Sequence, residues 1–171
     1  QTGESGFHFT DEAMPPRLLK EVALEIKRRK MVVSYWGNIR FDKTYTAELC
    51  ELLSESGMIA ASGGLEVASD RLLKLTRKGV TIEQTTLACK HLTDAGIMVH
   101  TYLMYGFPTE TFQECIDALE VVRQLFANGL VHSAFWHRYA MTVHSPSGQN
   151  PKDFGVDKAK CACNSFCNNE I

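Results

Sequence analysis

Hydrophobic residues along the chain alternate between short strand-like runs and longer stretches with helical spacing. The clearest strand is predicted at residues 97–105, where β-branched and aromatic residues follow one another without a breaker. It stops at Gly106-Phe107-Pro108, and residues 112–126 then place apolar side chains three or four apart, as a helix does. We expect Thr109 to cap that helix. The carboxyl end of such a strand is where α/β proteins bind ligands, although Gly-Phe-Pro is equally well explained as a plain turn.

The same alternation covers most of the chain. The other predicted strands occupy residues 7–12, 31–35, 58–61 and 131–143, and the other predicted helices occupy residues 15–30, 44–56, 69–76 and 81–95. This β-α-β-α-β-α-β-α-β order favours parallel strands joined by right-handed crossovers. Polar residues gather at several strand ends, which favours a partial (β/α) barrel over a doubly wound sheet. We expect residues 1–145 to form this core and residues 146–171 to form a tail that is loop or truncated.

Composition narrows the class of protein. The chain has 171 residues, of which 44% are hydrophobic and 22% charged, as in an ordinary globular domain. A net charge of -2 gives no electrostatic reason to expect nucleic acid or an anionic membrane as a partner. Cys50, Cys89 and Cys115 fall within helical patterns as buried thiols, which favours a reducing, cytoplasmic location. The sequence motifs of P-loop hydrolases, dinucleotide-binding dehydrogenases, esterases and zinc proteases are absent.

Several charged residues at strand ends are candidates for ligand binding. Asp11 and Glu12 can bind an amine or a metal, or simply form a polar turn. Glu66 is the stronger carboxylate, because the two glycines before it allow close approach and a carboxylate can accept two ribose hydroxyls. Arg40 follows a strand end, where a surface arginine is the commoner case. Arg77-Lys78-Gly79 can supply a cation to a ligand carboxylate, or simply complement the dipole at a helix C-terminus.

Two further groups of residues carry chemistry. His100 and Tyr102 share one strand face, and His137 and Tyr139 share a face of the last strand; together they can line a substrate cavity or simply belong to the core. Three cysteines near the end, Cys161, Cys163 and Cys167, can hold an iron–sulfur cluster or zinc, although their spacing fits no standard motif and an ordinary tail explains them as well.

The ordered strand-end motifs resemble those of the radical S-adenosylmethionine superfamily, in particular members that often carry an N-terminal cobalamin-binding domain. The resemblance covers about residues 7–145. It is carried by Phe9-Thr10-Asp11-Glu12, Trp36-Gly37-Asn38-Ile39-Arg40, Ser62-Gly63-Gly64-Leu65-Glu66-Val67-Ala68-Ser69 and Tyr105-Gly106-Phe107-Pro108-Thr109-Glu110-Thr111. The family fold is a partial (β/α) barrel of six units, and this chain resembles strands two to six of it.

The resemblance also implies roles for individual residues. Asp11 and Glu12 correspond to the motif that holds the methionine amino group, and Glu66 to the position that binds ribose. Gly106, Phe107 and Pro108 lie on the turn that packs against adenine, whereas Arg40 and Lys78 are candidates for the methionine carboxylate or the substrate. The serine that usually follows the ribose glutamate is Val67 here, so only Glu66 is carried over.

The family's C-x3-C-x2-C loop, which binds the [4Fe–4S] cluster, is absent from this chain. We therefore expect a fragment, inactive by itself, of an enzyme whose missing N-terminal part supplies the cluster cysteines and possibly a cobalamin domain. Such an enzyme reductively cleaves S-adenosylmethionine to a 5′-deoxyadenosyl radical that abstracts hydrogen from a substrate; the sequence does not identify that substrate. The alternatives are a non-catalytic (β/α) binding module and an ordinary barrel hydrolase or lyase that uses Asp11, Glu66 and His137.

Overall fold

A computed structural model describes residues 3–157 of the chain. Five parallel strands form one sheet, in which each strand pairs with its neighbours in chain order: β1 (Gly6–Phe9), β2 (Ser34–Asn38), β3 (Met58–Glu66), β4 (Met98–Tyr105) and β5 (Ser133–Arg138). A doubly wound sheet would reverse direction at a switch point, and this sheet does not. The sequential order is that of a barrel arc, which confirms the predicted partial (β/α) barrel.

The helices connect successive strands. They are α1 (Pro16–Arg28), α2 (Ala47–Glu55), α3 (Asp70–Leu75), α4 (Ile82–Asp94), α5 (Phe112–Ala127) and α6 (Pro146–Gln149), followed by a 3-10 turn at Pro151–Phe154. Threonine or serine side chains accept hydrogen bonds at the start of α2 to α6, as N-caps do. The prediction that Thr109 caps α5 is wrong, because Thr111 forms a capping box with Glu114 and Thr109 lies in the preceding turn with φ +66°.

The core lies between the helices and one face of the sheet. In β4, Val99, Thr101 and Leu103 are buried on that side, whereas His100 and Tyr102 point to the opposite side and stay partly exposed. We call this opposite side the inner face. Strand register assigns to it, among others, His8, Trp36, Asn38, Ala60, Ser62, Gly64, Met98, His100, Tyr102, Met104, Ser133, Phe135 and His137. A second, smaller apolar cluster joins Val67, Leu72, Leu73 and Phe107 at the carboxyl end of the sheet.

Several predicted element boundaries differ from the structure. β2 starts at Ser34 rather than Met31, because Met31 and Val32 lie exposed in the connection before it. β1 and β5 are shorter than predicted, ending at Phe9 and Arg138. The segment after residue 145 was expected to be loop, but α6 and the 3-10 turn form there, and Phe154 packs against the second cluster. The domain division at residue 145 itself stays a prediction.

Candidate functional site

The carboxyl end of β3 places Glu66 at the centre of the site. The prediction ended this strand at Ala61, but it continues through the two glycines to Glu66, with a bulge between Gly64 and Glu66. The amide of Leu65 donates to the Thr101 hydroxyl at 3.3 Å, which satisfies the backbone group that the bulge leaves unpaired. Glu66 has φ +59°, a conformation that costs a non-glycine residue about 1–3 kcal/mol and is concentrated at functional sites.

The two glycines before Glu66 are required by what surrounds them. A Cβ on Gly64 would overlap the Glu66 carboxylate and lie 2.8 Å from its Cδ atom. A Cβ on Gly63 would lie 2.6 Å from the Phe41 ring and 2.9 Å from the Ile39 carbonyl oxygen. Gly64 therefore leaves room for the carboxylate to fold over the strand, whereas Gly63 leaves room for the core.

Lys78 faces Glu66 from the connection between α3 and α4. Its Nζ atom lies 2.6 Å from Glu66 Oε1, and the two side chains are 30% and 25% exposed. The Arg40 guanidinium, which follows β2, donates a hydrogen bond to the Lys78 carbonyl oxygen. Arg40 thus positions the backbone that presents the lysine, a role that the sequence did not indicate.

A polar cavity of about 300 Å³ lies on one side of this ion pair. It brings together four of the predicted cofactor-binding residues, Glu12, Arg40, Glu66 and Lys78. Asn38, Ser62 and the predicted substrate residue Tyr102 join them from the inner face. Asp11 is exposed in the same turn as Glu12 but does not line the cavity. The mixture of acidic and basic side chains suits a ligand that carries both an amine and a carboxylate.

An apolar cavity of about 290 Å³ lies on the other side. Glu66 and Lys78 line both cavities, so the two spaces meet at the ion pair. The walls of the apolar cavity include Phe107 and Tyr139, whose rings lie 4.7 Å apart, together with Val67, Met104, Pro146 and Phe154. The segment after residue 145 therefore completes the site, which the sequence did not predict.

Glu110 organises the Gly106-Phe107-Pro108 turn. Its Oε2 atom accepts hydrogen bonds from the amides of Gly106 and Phe107 at 2.6 and 3.0 Å. Gly106 has φ +75°, a conformation that glycine adopts without strain. From the sequence we assigned no role to Glu110; its position three residues after Phe107 was the available signal.

A second carboxylate joins the loops after β3 and β4. Arg71 donates two hydrogen bonds to Glu114, at 2.8 and 2.7 Å, and one to the Thr109 carbonyl oxygen at 2.8 Å. The hydrogen bond from Arg71, followed by that from the Thr111 amide, holds the pKa of Glu114 well below its usual range. This clamp fixes the turn that carries Phe107 relative to α3.

The four predicted substrate residues fall into two places. His100, Tyr102 and His137 lie together on the inner face, with the Tyr102 ring 4.9 Å from His100 and 6.1 Å from His137. His100 Nδ1 also lies 2.8 Å from the Ser133 hydroxyl. Tyr139 instead lies beyond the end of β5, where it contacts Phe107 and its hydroxyl is hydrogen-bonded to Ser147.

The part of the chain that the structure describes holds no group of three or more His, Cys, Asp or Glu side chains placed to bind a metal ion. Cys161, Cys163 and Cys167 lie outside the described residues. Cys50 and Cys89 are buried free thiols, as predicted, and burial raises the pKa of each to about 12. Cys115 is only partly buried. Over residues 3–157, the helices are all too short or too polar to cross a membrane.

Comparison with known proteins identifies the family of this chain. The family model described as the radical SAM superfamily matches residues 4–122. An uncharacterized methyltransferase of Pyrococcus horikoshii, PH0819, is 27% identical over 105 residues, which cover 61% of this chain and 23% of that protein. An uncharacterized protein of Sinorhizobium fredii, y4hJ, is 32% identical over 77 residues, 44% of this chain and 30% of that protein.

Solved structures of low sequence identity share the fold. The radical S-adenosylmethionine methyltransferase TsrM from Kitasatospora setae, solved with cobalamin and a [4Fe–4S] cluster bound, superposes with a TM-score of 0.70 at 19% identity over 84% of this chain and 29% of that one. The cobalamin-dependent radical enzyme OxsB gives a TM-score of 0.62 at 14% identity over 88% of this chain and 23% of that one. The chain thus spans between about a quarter and a third of the length of these relatives.

Proposed function

This chain belongs to the radical SAM superfamily, and we propose that its two adjoining cavities bind S-adenosylmethionine within a larger radical SAM enzyme. The observation that carries the proposal is the position of Glu66, strained and half-buried at the junction of an apolar and a polar cavity. S-adenosylmethionine has the same sequence of parts: a flat adenine, a ribose diol and a charged amino acid.

Each part of the ligand has a matching group of residues. The apolar cavity offers the Phe107 and Tyr139 rings to adenine, and the Glu66 carboxylate can accept both ribose hydroxyls. In the polar cavity, Glu12 suits the methionine amine, whereas Arg40 and Lys78 suit its carboxylate. Lys78 would then exchange part of its contact with Glu66 for the ligand, and the pair would stay charge-balanced.

The [4Fe–4S] cluster of the family would supply the electron that cleaves the sulfonium bond. We propose that its cysteine ligands lie outside residues 3–157, because those residues offer no metal-binding group. The contribution of this chain is to bind and orient the nucleoside and the amino acid, and to exclude water from the adenine end. The free thiols Cys50, Cys89 and Cys115 agree with the reducing, cytoplasmic location that we also propose.

The test uses the complete protein, reconstituted anaerobically with iron and sulfide and then given dithionite and S-adenosylmethionine. We expect 5′-deoxyadenosine to form, and Glu66→Gln to weaken S-adenosylmethionine binding at least about tenfold, since hydrogen bonds to a charged group contribute roughly 1.5–3 kcal/mol. Glu21→Gln is the matched control, because Glu21 lies 60% exposed on α1. A reconstituted cluster with no bound S-adenosylmethionine would refute the proposal and favour a non-catalytic binding module.

Methyl transfer assisted by cobalamin is a second candidate for the reaction. It is favoured by the name of the Pyrococcus relative, a methyltransferase, and by the cobalamin bound to TsrM. The same assay distinguishes it: methyl transfer would yield S-adenosylhomocysteine and a methylated substrate when cobalamin is added. Hydrogen abstraction alone would yield 5′-deoxyadenosine and methionine, without S-adenosylhomocysteine.

A further inference from the structure

The inner face of the sheet carries two groups of aromatic rings separated by a strip of small residues. On β1 and β2, the His8 and Trp36 rings stack in parallel, 3.8 Å apart with an interplanar angle of 9°. On β4 and β5, His100, Tyr102, Phe135 and His137 form a chain of ring contacts. Between the groups, β3 presents only Ala60, Ser62 and Gly64.

The stacking of His8 on Trp36 fixes what the second face of the Trp36 ring can contact. His8 and Trp36 are register partners on neighbouring strands, so two rings stacked in parallel at 3.8 Å stand upright from the sheet. The other face of Trp36 is therefore turned toward β3, where its register partner is Ala60, with only a methyl group. Trp36 remains 37% exposed and Phe135 55% exposed, so these rings are not core packing.

We define the ring slot as the space above Ala60 and Ser62, bounded on β2 by Trp36. On β4 it is bounded by Met98, the register partner of Ala60, and by His100, the register partner of Ser62. The walls stand on strands separated by two strand spacings, about 10 Å. One flat ring in contact with both walls needs roughly 7–8 Å, twice the His8–Trp36 separation.

The upper edge of the slot carries an unsatisfied hydrogen-bond acceptor. Within residues 3–157, Asn38 Oδ1 is one of three buried side-chain atoms that lack a hydrogen-bond partner. Asn38 is in register with Ser62 and lies two residues beyond Trp36 on the same face, about 7 Å further along the strand. A buried acceptor without a partner costs about 1–3 kcal/mol, which a ligand donor would recover.

We infer that the ring slot binds a flat aromatic ring that carries an N–H group, with one ring face on Trp36 and the N–H donating to Asn38. The register positions that form the slot bear no carboxylate, lysine or arginine, which favours an uncharged ring. Asn38 and Ser62 also line the polar cavity, so the slot adjoins it. The assignment of this ring to the substrate rests on the proposed function. Glu66, which is proposed to bind the ribose, lies four residues beyond Ser62, about 13 Å along β3.

The experiment measures binding of small rings to the complete protein by ligand-observed NMR. The probes are benzimidazole, 1-methylbenzimidazole, which lacks the N–H, and cyclohexanecarboxamide, which keeps an N–H donor but has no aromatic ring. Trp36→Leu removes the stacking wall. Trp136→Leu is the matched control, because Trp136 packs against the core on the opposite face of the sheet. Far-ultraviolet circular dichroism and thermal unfolding check that each variant folds.

We expect benzimidazole to bind the native protein and Trp136→Leu equally, and to bind Trp36→Leu about tenfold more weakly. The native protein should prefer benzimidazole to its methyl derivative about fivefold. Asn38→Leu should abolish that preference and Asn38→Asp should keep it. Equal binding to Trp36→Leu and the native protein, or equal binding of the saturated amide, would overturn the inference.

The ring measurements are independent of the S-adenosylmethionine chemistry. If Trp36→Leu weakens ring binding but the protein forms no 5′-deoxyadenosine, the slot is supported and the proposed function is refuted. If 5′-deoxyadenosine forms but substitutions of Trp36 and Asn38 do not change ring binding, the proposed function is supported and the slot is refuted.

Discussion

Gly64→Ala should weaken S-adenosylmethionine binding while leaving the protein about as stable as before. The added Cβ would overlap the Glu66 carboxylate and approach Lys78 Nζ to 3.3 Å. Both atoms are ends of flexible side chains, so the carboxylate can rotate away without moving the strand. Alanine is also a better strand residue than glycine by roughly 0.5–1 kcal/mol, which offsets the lost contact between Glu66 and Lys78.

The substitution should therefore lower the affinity for S-adenosylmethionine rather than the stability of the protein. If Glu66 accepts hydrogen bonds from the ribose, a displaced carboxylate loses at least one hydrogen bond to a charged group, about 1.5–3 kcal/mol. This corresponds to a weakening of roughly ten- to 150-fold in Kd. Gly63→Ala should behave oppositely, because its Cβ would press on the Phe41 ring and the Ile39 carbonyl oxygen, and overpacking costs typically 1–3 kcal/mol of stability.

The assay pairs thermal unfolding with equilibrium dialysis of radiolabelled S-adenosylmethionine against the complete protein. Gly6→Ala is the control, since a Cβ there would meet nothing within 4 Å. The expected pattern is an unchanged Tm with weak binding for Gly64→Ala, a lowered Tm for Gly63→Ala, and native behaviour for Gly6→Ala. Native affinity in Gly64→Ala would refute the ribose role of Glu66.

Three further predictions concern the residues around the site. Glu110→Ala should speed hydrogen exchange of the two amides that Glu110 binds at least about tenfold, and Glu110→Gln less, as followed by NMR; unchanged exchange would contradict the role of Glu110 in the turn. Because Arg71 lowers the pKa of Glu114, the stability that this pair provides is complete above about pH 5 and is lost as pH falls toward about 2. The fall in Tm across that pH range should be smaller for Arg71→Met than for the native protein. An equally steep fall in Tm would exclude the clamp. Burial and a pKa near 12 should keep Cys50 and Cys89 unlabelled by iodoacetamide at about pH 8 until the protein unfolds, which peptide mass spectrometry detects; rapid labelling of the folded protein would show that these thiols are not buried.

The sequence by itself determined the parallel sheet and most of the helices. Apolar residues at periods of two and of three to four, separated by glycine and threonine, are local signals, and they placed all five strands in the correct order. The strand-end motifs also indicated the family, which the match over residues 4–122 confirmed. The predicted roles of Asp11, Glu12 and Glu66 stay predictions, although the structure does place Glu66 between two cavities.

Tertiary structure alone decided how the candidate residues combine. The sequence paired Tyr139 with His137, but the chain turns after Arg138, and Tyr139 contacts Phe107 instead. It ended β3 at Ala61, because the Thr101 hydroxyl that satisfies the bulge lies 36 residues away in the chain. The apolar cavity, the Arg71–Glu114 clamp and the ring slot likewise join residues that are distant in sequence. Periodicity reports local backbone preference, whereas such contacts depend on register and strand twist, which are fixed only when the whole sheet has formed.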